Sequence, residues 1–85
     1  MNTKSLDAVA SGTSVRIVSL SGGRHAREKL RGLGFIPGER IKVRRNDFGG
    51  PLVVEIYGSR TVLGLGLAQK VKVVESEAAW GSGKS

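Results

Sequence analysis

The side chains best placed to do chemistry in this 85-residue chain are cationic. Arg24, Arg27 and Arg31 recur at intervals of three and four, and Arg40, Lys42 and Arg44 at intervals of two. The first spacing gathers guanidinium groups on one face of a helix, and the second gathers cations on one face of a strand. Either face suits an anionic partner, whether an acidic protein surface or a phosphate backbone. Ser21-Gly22-Gly23 stands directly before the helical triplet. Glycines there leave backbone N–H groups bare at the positive end of a helix. Gly22 and Gly23 with Arg24 and Arg27 therefore form either a plain strand-to-helix turn or a cradle for an anion.

Other chemistry finds less material. The chain ends Gly81-Ser82-Gly83-Lys84-Ser85, but a phosphate-binding loop needs glycine five positions before Gly83, where Ala78 stands, and a helix after it. The segment reads as a flexible tail. His25 is the single histidine, and the seven carboxylates Asp7, Glu28, Glu39, Asp47, Glu55, Glu75 and Glu77 are scattered. His25 and Glu28 share a helix face but make only a pair, so no tightly bound cofactor is expected, only a divalent metal held weakly or bridged between molecules. Cysteine is absent, which excludes a disulfide framework, a zinc finger, an iron–sulfur cluster and a thiol nucleophile. With no Gly-x-Ser-x-Gly signature and no carboxylates paired by spacing, the chain reads as a non-enzyme.

Fourteen Lys and Arg against seven Asp and Glu leave a formal charge of +7. The charge fits nucleic acid in principle, yet Phe35, Phe48, Tyr57 and Trp80 are the only aromatics available for base stacking. A nucleic-acid-binding module is therefore the alternative, and a docking face for an acidic protein the preferred reading. No apolar run is long enough to cross a bilayer, and Met1-Asn2-Thr3-Lys4-Ser5-Leu6-Asp7 has no signal-peptide core. A cytoplasmic location is expected, with membrane contact only through a partner.

The elements that must carry these residues are short. Thirteen glycines, about twice the usual share, disfavour a helical bundle and suit tight turns between strands. Ser14–Leu20 reads as a strand with Val15 and Ile17 on one side. Arg24–Gly34 is the one convincing helix, with Ala26, Leu30 and Leu33 on an apolar stripe, Gly34 as its cap and Pro37 beyond it. Glu39–Arg45 alternates, Ile41 and Val43 inward against Arg40, Lys42 and Arg44 outward. Asn46-Asp47-Phe48-Gly49-Gly50-Pro51 is a hairpin loop into the strand Leu52–Tyr57. Gly58-Ser59-Arg60 turns into Thr61–Leu63, Gly64–Lys70 forms an irregular helical turn, and Val71–Glu75 closes the set. Five strands and one helix predict a mainly β fold, a small, partly open SH3-like barrel spanning residues 1–75 and capped by the helix, with an OB-type barrel as second choice. Residues 76–85 are expected to be a flexible polar tail.

Within this frame Leu30-Arg31-Gly32-Leu33-Gly34-Phe35-Ile36-Pro37-Gly38 resembles the FeoA family, small cytosolic proteins of bacterial ferrous iron transport. Gly50-Pro51, Gly58, Val62-Leu63, Ala68 and Val71-x-Val73 extend the resemblance from Leu6 to Val74. Phe35 stands where the family more often has Leu or Met, and Gly64 where a larger residue is frequent. The fold-defining positions that carry over are Leu30, Leu33, Gly34, Pro37 and Gly38, with Leu30 and Leu33 expected in the core and Gly38 at positive φ. The resemblance implies an SH3-like barrel and a role as accessory or regulator of the membrane transporter FeoB, docking on its GTPase-containing cytosolic part. The same domain ends metal-dependent repressors of the DtxR type, but no helix-turn-helix precedes it here. The partner-binding candidates are Arg24, Arg27, Arg31, Gly22 and Gly23.

Overall fold

The computed structural model describes residues 3–75; the expected tail 76–85, with Trp80, lies outside the described residues. Six strands and two α-helices follow one another along the described residues: β1 (Lys4–Ser5), β2 (Ser14–Leu20), α1 (Arg24–Gly32), β3 (Arg40–Asn46), β4 (Leu52–Ile56), β5 (Ser59–Leu63), α2 (Leu65–Ala68) and β6 (Val71–Glu75). They form one antiparallel sheet in the order β1-β6-β2-β3-β4-β5. The fold is the mainly β, SH3-like one expected, with a sixth strand that the sequence reading left out. That strand is only two residues long, too short to show a period, and it leads into a 3-10 turn at Leu6–Ala8. Leu6, which opens the turn, and Val9, just after it, are wholly buried, so the N-terminal segment is part of the core.

Two bulges set which side chains face inward. In β2 the register slips between Ile17 and Ser19, and in β3 between Val43 and Arg45. An extra residue shifts the alternation by one position and bends the strand. Val15 and Ile17 point in, Val18 and Ser19 both face out, and Leu20 returns to pack against the core. Likewise Ile41 and Val43 point in, Arg44 and Arg45 both face out, and Asn46 is buried.

The Asn46 side chain is fully used. Its Nδ2 donates to the carbonyls of Asp7 at 2.9 Å and Val9 at 2.7 Å, and its Oδ1 accepts from Phe48 N–H at 2.9 Å. Its own N–H donates to Ser11 Oγ at 2.8 Å. One buried amide thus joins the N-terminal segment to β3 and shapes the hairpin loop as an Asx turn.

The helix ends as its glycine dictates. Gly34 takes φ +102°, its N–H donates to Arg31 O at 2.9 Å, and Phe35 N–H donates to Leu30 O at 2.9 Å. This pair of bonds is a Schellman motif, whose hydrophobic contact falls between the third residue from the helix end and the second beyond it. Leu30 and Phe35 fill those places and are both wholly buried. The expectation for Leu33 is corrected: it is 38% exposed. Leu33 is the last residue before the chain reverses, so the reversal seats Phe35 inside and leaves Leu33 at the rim.

Ile36-Pro37-Gly38-Glu39 then turns the chain into β3. Glu39 N–H donates to Ile36 O at 3.0 Å, and Gly38 takes φ +96°. Proline second and a positive-φ glycine third define a type II turn. Gly38 also locks β2, its N–H donating to Ile17 O at 2.7 Å while its carbonyl accepts from Arg16 Nη1 at 3.0 Å.

Three stability measurements test this packing. In urea unfolding, Leu30→Ala lowers stability by about 2–5 kcal/mol, the usual cost of truncating a buried leucine. Leu33→Ala costs about 1 kcal/mol or less, as rim substitutions do. Gly38→Val meets open space around its Cβ but is strained by φ, and costs about 1–3 kcal/mol. Equal losses for the two leucine variants would contradict the placement of Phe35 under Leu30.

Candidate functional site

The residues singled out as partner-binding lie along α1 and the turn before it. Gly22 takes φ +89°, and Gly23 in extended conformation starts the helix without any side-chain cap. The turn is anchored from behind, since Ser21 N–H donates to Lys70 O at 2.7 Å and Ser21 Oγ donates to the same carbonyl at 3.1 Å. No acidic side chain lies in the first turn of α1, so the positive end of the helix is uncompensated by its own sequence.

Arg27 bends back on this turn. Its Nη1 donates to Gly22 O at 2.8 Å, fixing the guanidinium beside the start of the helix. Arg24 and Arg31 flank it at helical spacing, exposed and without an ion pair among the described residues. Lys29, which the sequence reading passed over, is a further exposed cation on the same helix. The structure therefore brings Gly22, Gly23, Arg24, Arg27 and Arg31 to one positively charged end and face of a nine-residue helix. What this arrangement can do is bind carboxylates or phosphates through guanidinium forks and free N–H groups.

The second basic face behaves differently. Arg44 Nη1 pairs with Glu55 Oε1 across to β4 at 3.3 Å, and Arg45 Nε pairs with Asp47 Oδ2 at 3.2 Å. Glu39, Arg40 and Lys42 lie near the β4–β5 turn. There Tyr57 stands 71% exposed at φ +53°, beside Glu39. Desolvation first, then the neighbouring carboxylate of Glu39, hold the phenol above its usual pKa. On the strand face Arg44 is thus ion-paired within the fold, whereas Arg24, Arg27 and Arg31 on the helix form no ion pair among the described residues.

Among the described residues no three His, Cys, Asp or Glu side chains gather where they could hold a metal ion. His25 and Glu28 are exposed on α1. No described helix is long and apolar enough to cross a membrane.

A profile of the FeoA domain matches residues 4–75, the whole described fold but for its first residue. The chain belongs to the FeoA family. An Fe(2+) transport protein A from Methanocaldococcus jannaschii is 33% identical over 66 residues, covering 78% of this chain and 79% of the relative. The crystal structure of an iron uptake regulatory protein, FeoA, superposes with a TM-score of 0.80 at 33% identity, over 85% of this chain and 96% of that one. A manganese-dependent transcriptional repressor also matches, with a TM-score of 0.77 at 24% identity, over 86% of this chain and 41% of its own. At that identity the likeness is one of fold alone. The FeoA fold is thus a small SH3-like unit that occurs both free and as part of a longer protein.

Three functional positions escaped the sequence reading. Asn46 was absorbed into a run of turn formers; its spacing of two before Phe48 was the available signal for an Asx turn. Phe35 stands out in sequence only as part of the family-like run, although an apolar residue directly after a capping glycine is the signature of the Schellman contact. Lys29 falls outside the three-and-four spacing of the arginines. Isothermal calorimetry of anaerobic Fe(II) into the purified chain is expected to show no saturable binding at micromolar or tighter affinity, because His25 and Glu28 supply only two ligands.

Proposed function

We propose that this chain is a cytoplasmic accessory of ferrous iron transport that docks on the cytosolic, GTPase-containing part of the FeoB transporter through the basic face of α1. Membership of the FeoA family over residues 4–75 supports the transport role. The observation that carries the docking surface is the contrast between the two basic faces: Arg24 and Arg31 stand without ion pairs among the described residues, while Arg44 is already held by Glu55. A cation outside any ion pair meets an acidic partner directly, whereas a paired one must first give up its mate. A carboxylate arriving at Gly23 would also meet the uncapped start of the helix beside Arg27. Iron itself is the transporter's cargo, and in this reading the chain acts on the transporter rather than on the ion.

The test separates the two faces in living cells. Arg24→Glu with Arg31→Glu reverses the helix face without touching the Arg27–Gly22 bond, and is expected to abolish transporter-dependent iron uptake at unchanged protein level. Lys42→Gln, which faces Glu55 across the β3–β4 ladder and removes a strand-face cation without setting a second carboxylate there, is expected to leave uptake within about twofold of wild type, as isolated surface charges do. Equal uptake by the two variants would remove the helix face from the proposal.

A further inference from the structure

The β5 strand is an open sheet edge of a kind that folded proteins normally protect. It lies at one end of the sheet order and, among the described residues, pairs only with β4. The opposite edge, β1, is two residues long, runs straight into a 3-10 turn and carries Lys4 paired to Glu75 at 3.0 Å. By contrast β5 has five residues, Ser-Arg-Thr-Val-Leu, with no proline, no lysine and no bulge in its register.

The hairpin geometry identifies which backbone groups are open. Ile56 faces Ser59 across the two-residue turn Tyr57-Gly58, both at positive φ, +53° and +81°. That is a type I′ turn, and its flanking pair is hydrogen-bonded. Hydrogen-bonded and non-bonded pairs then alternate along an antiparallel ladder. Val54–Thr61 and Leu52–Leu63 are bonded, so Ser59, Thr61 and Leu63 direct their N–H and C=O groups at β4. Arg60 and Val62 direct theirs outward, and no described backbone group outside the ladder bonds to them. Their side chains share one face of the sheet. Val62 is 67% exposed, and Arg60 is exposed with no ion pair among the described residues, because Glu55 opposite it is engaged by Arg44.

The geometry points to β5 as a strand-addition site for an extended, acidic segment of a partner protein, separate from the α1 face and independent of the proposal made for it. An antiparallel segment in register places one residue against Val62 and, two residues later, one against Arg60. The outward groups of Arg60 and Val62 offer it four main-chain hydrogen bonds, and the side chains select a β-branched residue followed at that spacing by Asp or Glu. A second copy of this chain fits the backbone pattern equally, pivoting on Thr61 so that Arg60 faces Val62 of the copy. Charge decides against it: each copy carries +7, and the edge itself holds an uncompensated arginine.

The test uses a blocked heptapeptide of threonine with valine at its third and glutamate at its fifth position, and a control with lysine in place of glutamate. Amide hydrogen exchange of the full chain is followed by NMR. In the free protein Thr61 and Leu63 amides exchange slowly, and those of Arg60 and Val62 rapidly. With the glutamate peptide at about ten times its Kd, the Arg60 and Val62 amides slow by about tenfold, as binding linkage requires. The lysine peptide has no such effect. Val62→Pro removes an outward donor and no ladder bond, so the melting temperature holds while peptide binding is lost. Arg60→Gln, which alters no backbone group, weakens the glutamate peptide by about fivefold. Absence of binding, equal binding of the two peptides, or shifts confined to α1 would overturn the assignment. Protection of Arg60 and Val62 that grows with protein concentration alone would overturn it too, in favour of a second copy on the edge.

Discussion

Gly34, at φ +102°, turns the chain left-handed at the end of α1, and the positions of both the helix and β3 follow from that turn. A nine-residue helix is too short to be stable alone in water. Leu30 is its one wholly buried side chain, and the turn lays Phe35, among the largest of the buried residues, in the same core cluster. Approach is close at this point: a Cβ on Gly34 would lie 3.4 Å from Ile56 Cγ2. The C-terminal end of the helix is therefore held against β4, while Ser21 ties the turn before it to Lys70. Its arginines are carried on the side away from Leu30, and the type II turn at Pro37-Gly38 leads directly into β3.

The bulges in β2 and β3 solve a related problem of alternation. A strictly regular β3 would bring Arg45 into the core after Ile41 and Val43, and a charge there without a partner is too costly to bury. The slip at Arg44 sends Arg45 outward to Asp47 and brings Asn46 inward instead, where its amide finds partners in Asp7, Val9 and Phe48. The N-terminal segment depends on this, because Asn46 supplies hydrogen bonds to carbonyls that would otherwise be buried beside Leu6 and Val9 without a donor. In β2 the slip at Val18 similarly returns Leu20 to the core and leaves Val18 41% exposed.

Charge is distributed unevenly over this scaffold. The ion pairs among the described residues tie Lys4 to β6, Arg44 to β4 and Arg45 to the hairpin loop, and none involves α1 or β5. Such exposed pairs contribute little to stability. Their effect is on what remains: a helix face and a sheet edge, each with unneutralised arginine, on a chain of net charge +7. The two surfaces use different recognition. The helix presents side-chain forks and an uncapped N-terminus to carboxylates, and the edge presents backbone groups that only an extended segment can satisfy.

The chain pattern by itself determined the main β elements, the single amphipathic helix, the glycine at its end and the Pro-Gly turn after it. Each of these is a local property, a period or a φ that neighbouring residues set. It also supplied the family, through the run from Leu30 to Gly38 and the spacings that follow. Tertiary structure alone decided the rest. The two-residue β1 exists because β6 lies beside it, and Asn46 is buried because a bulge turns it inward. Leu33 continues the apolar stripe in sequence yet sits at the rim, because the stripe is a property of the helix and burial a property of what packs on it. The arginines of α1 and the cations of β3 look alike in sequence. Only the fold places Glu55 within reach of Arg44, while Arg24 and Arg31 form no ion pair among the described residues, since ion pairing depends on distances across strands that sequence separation does not encode.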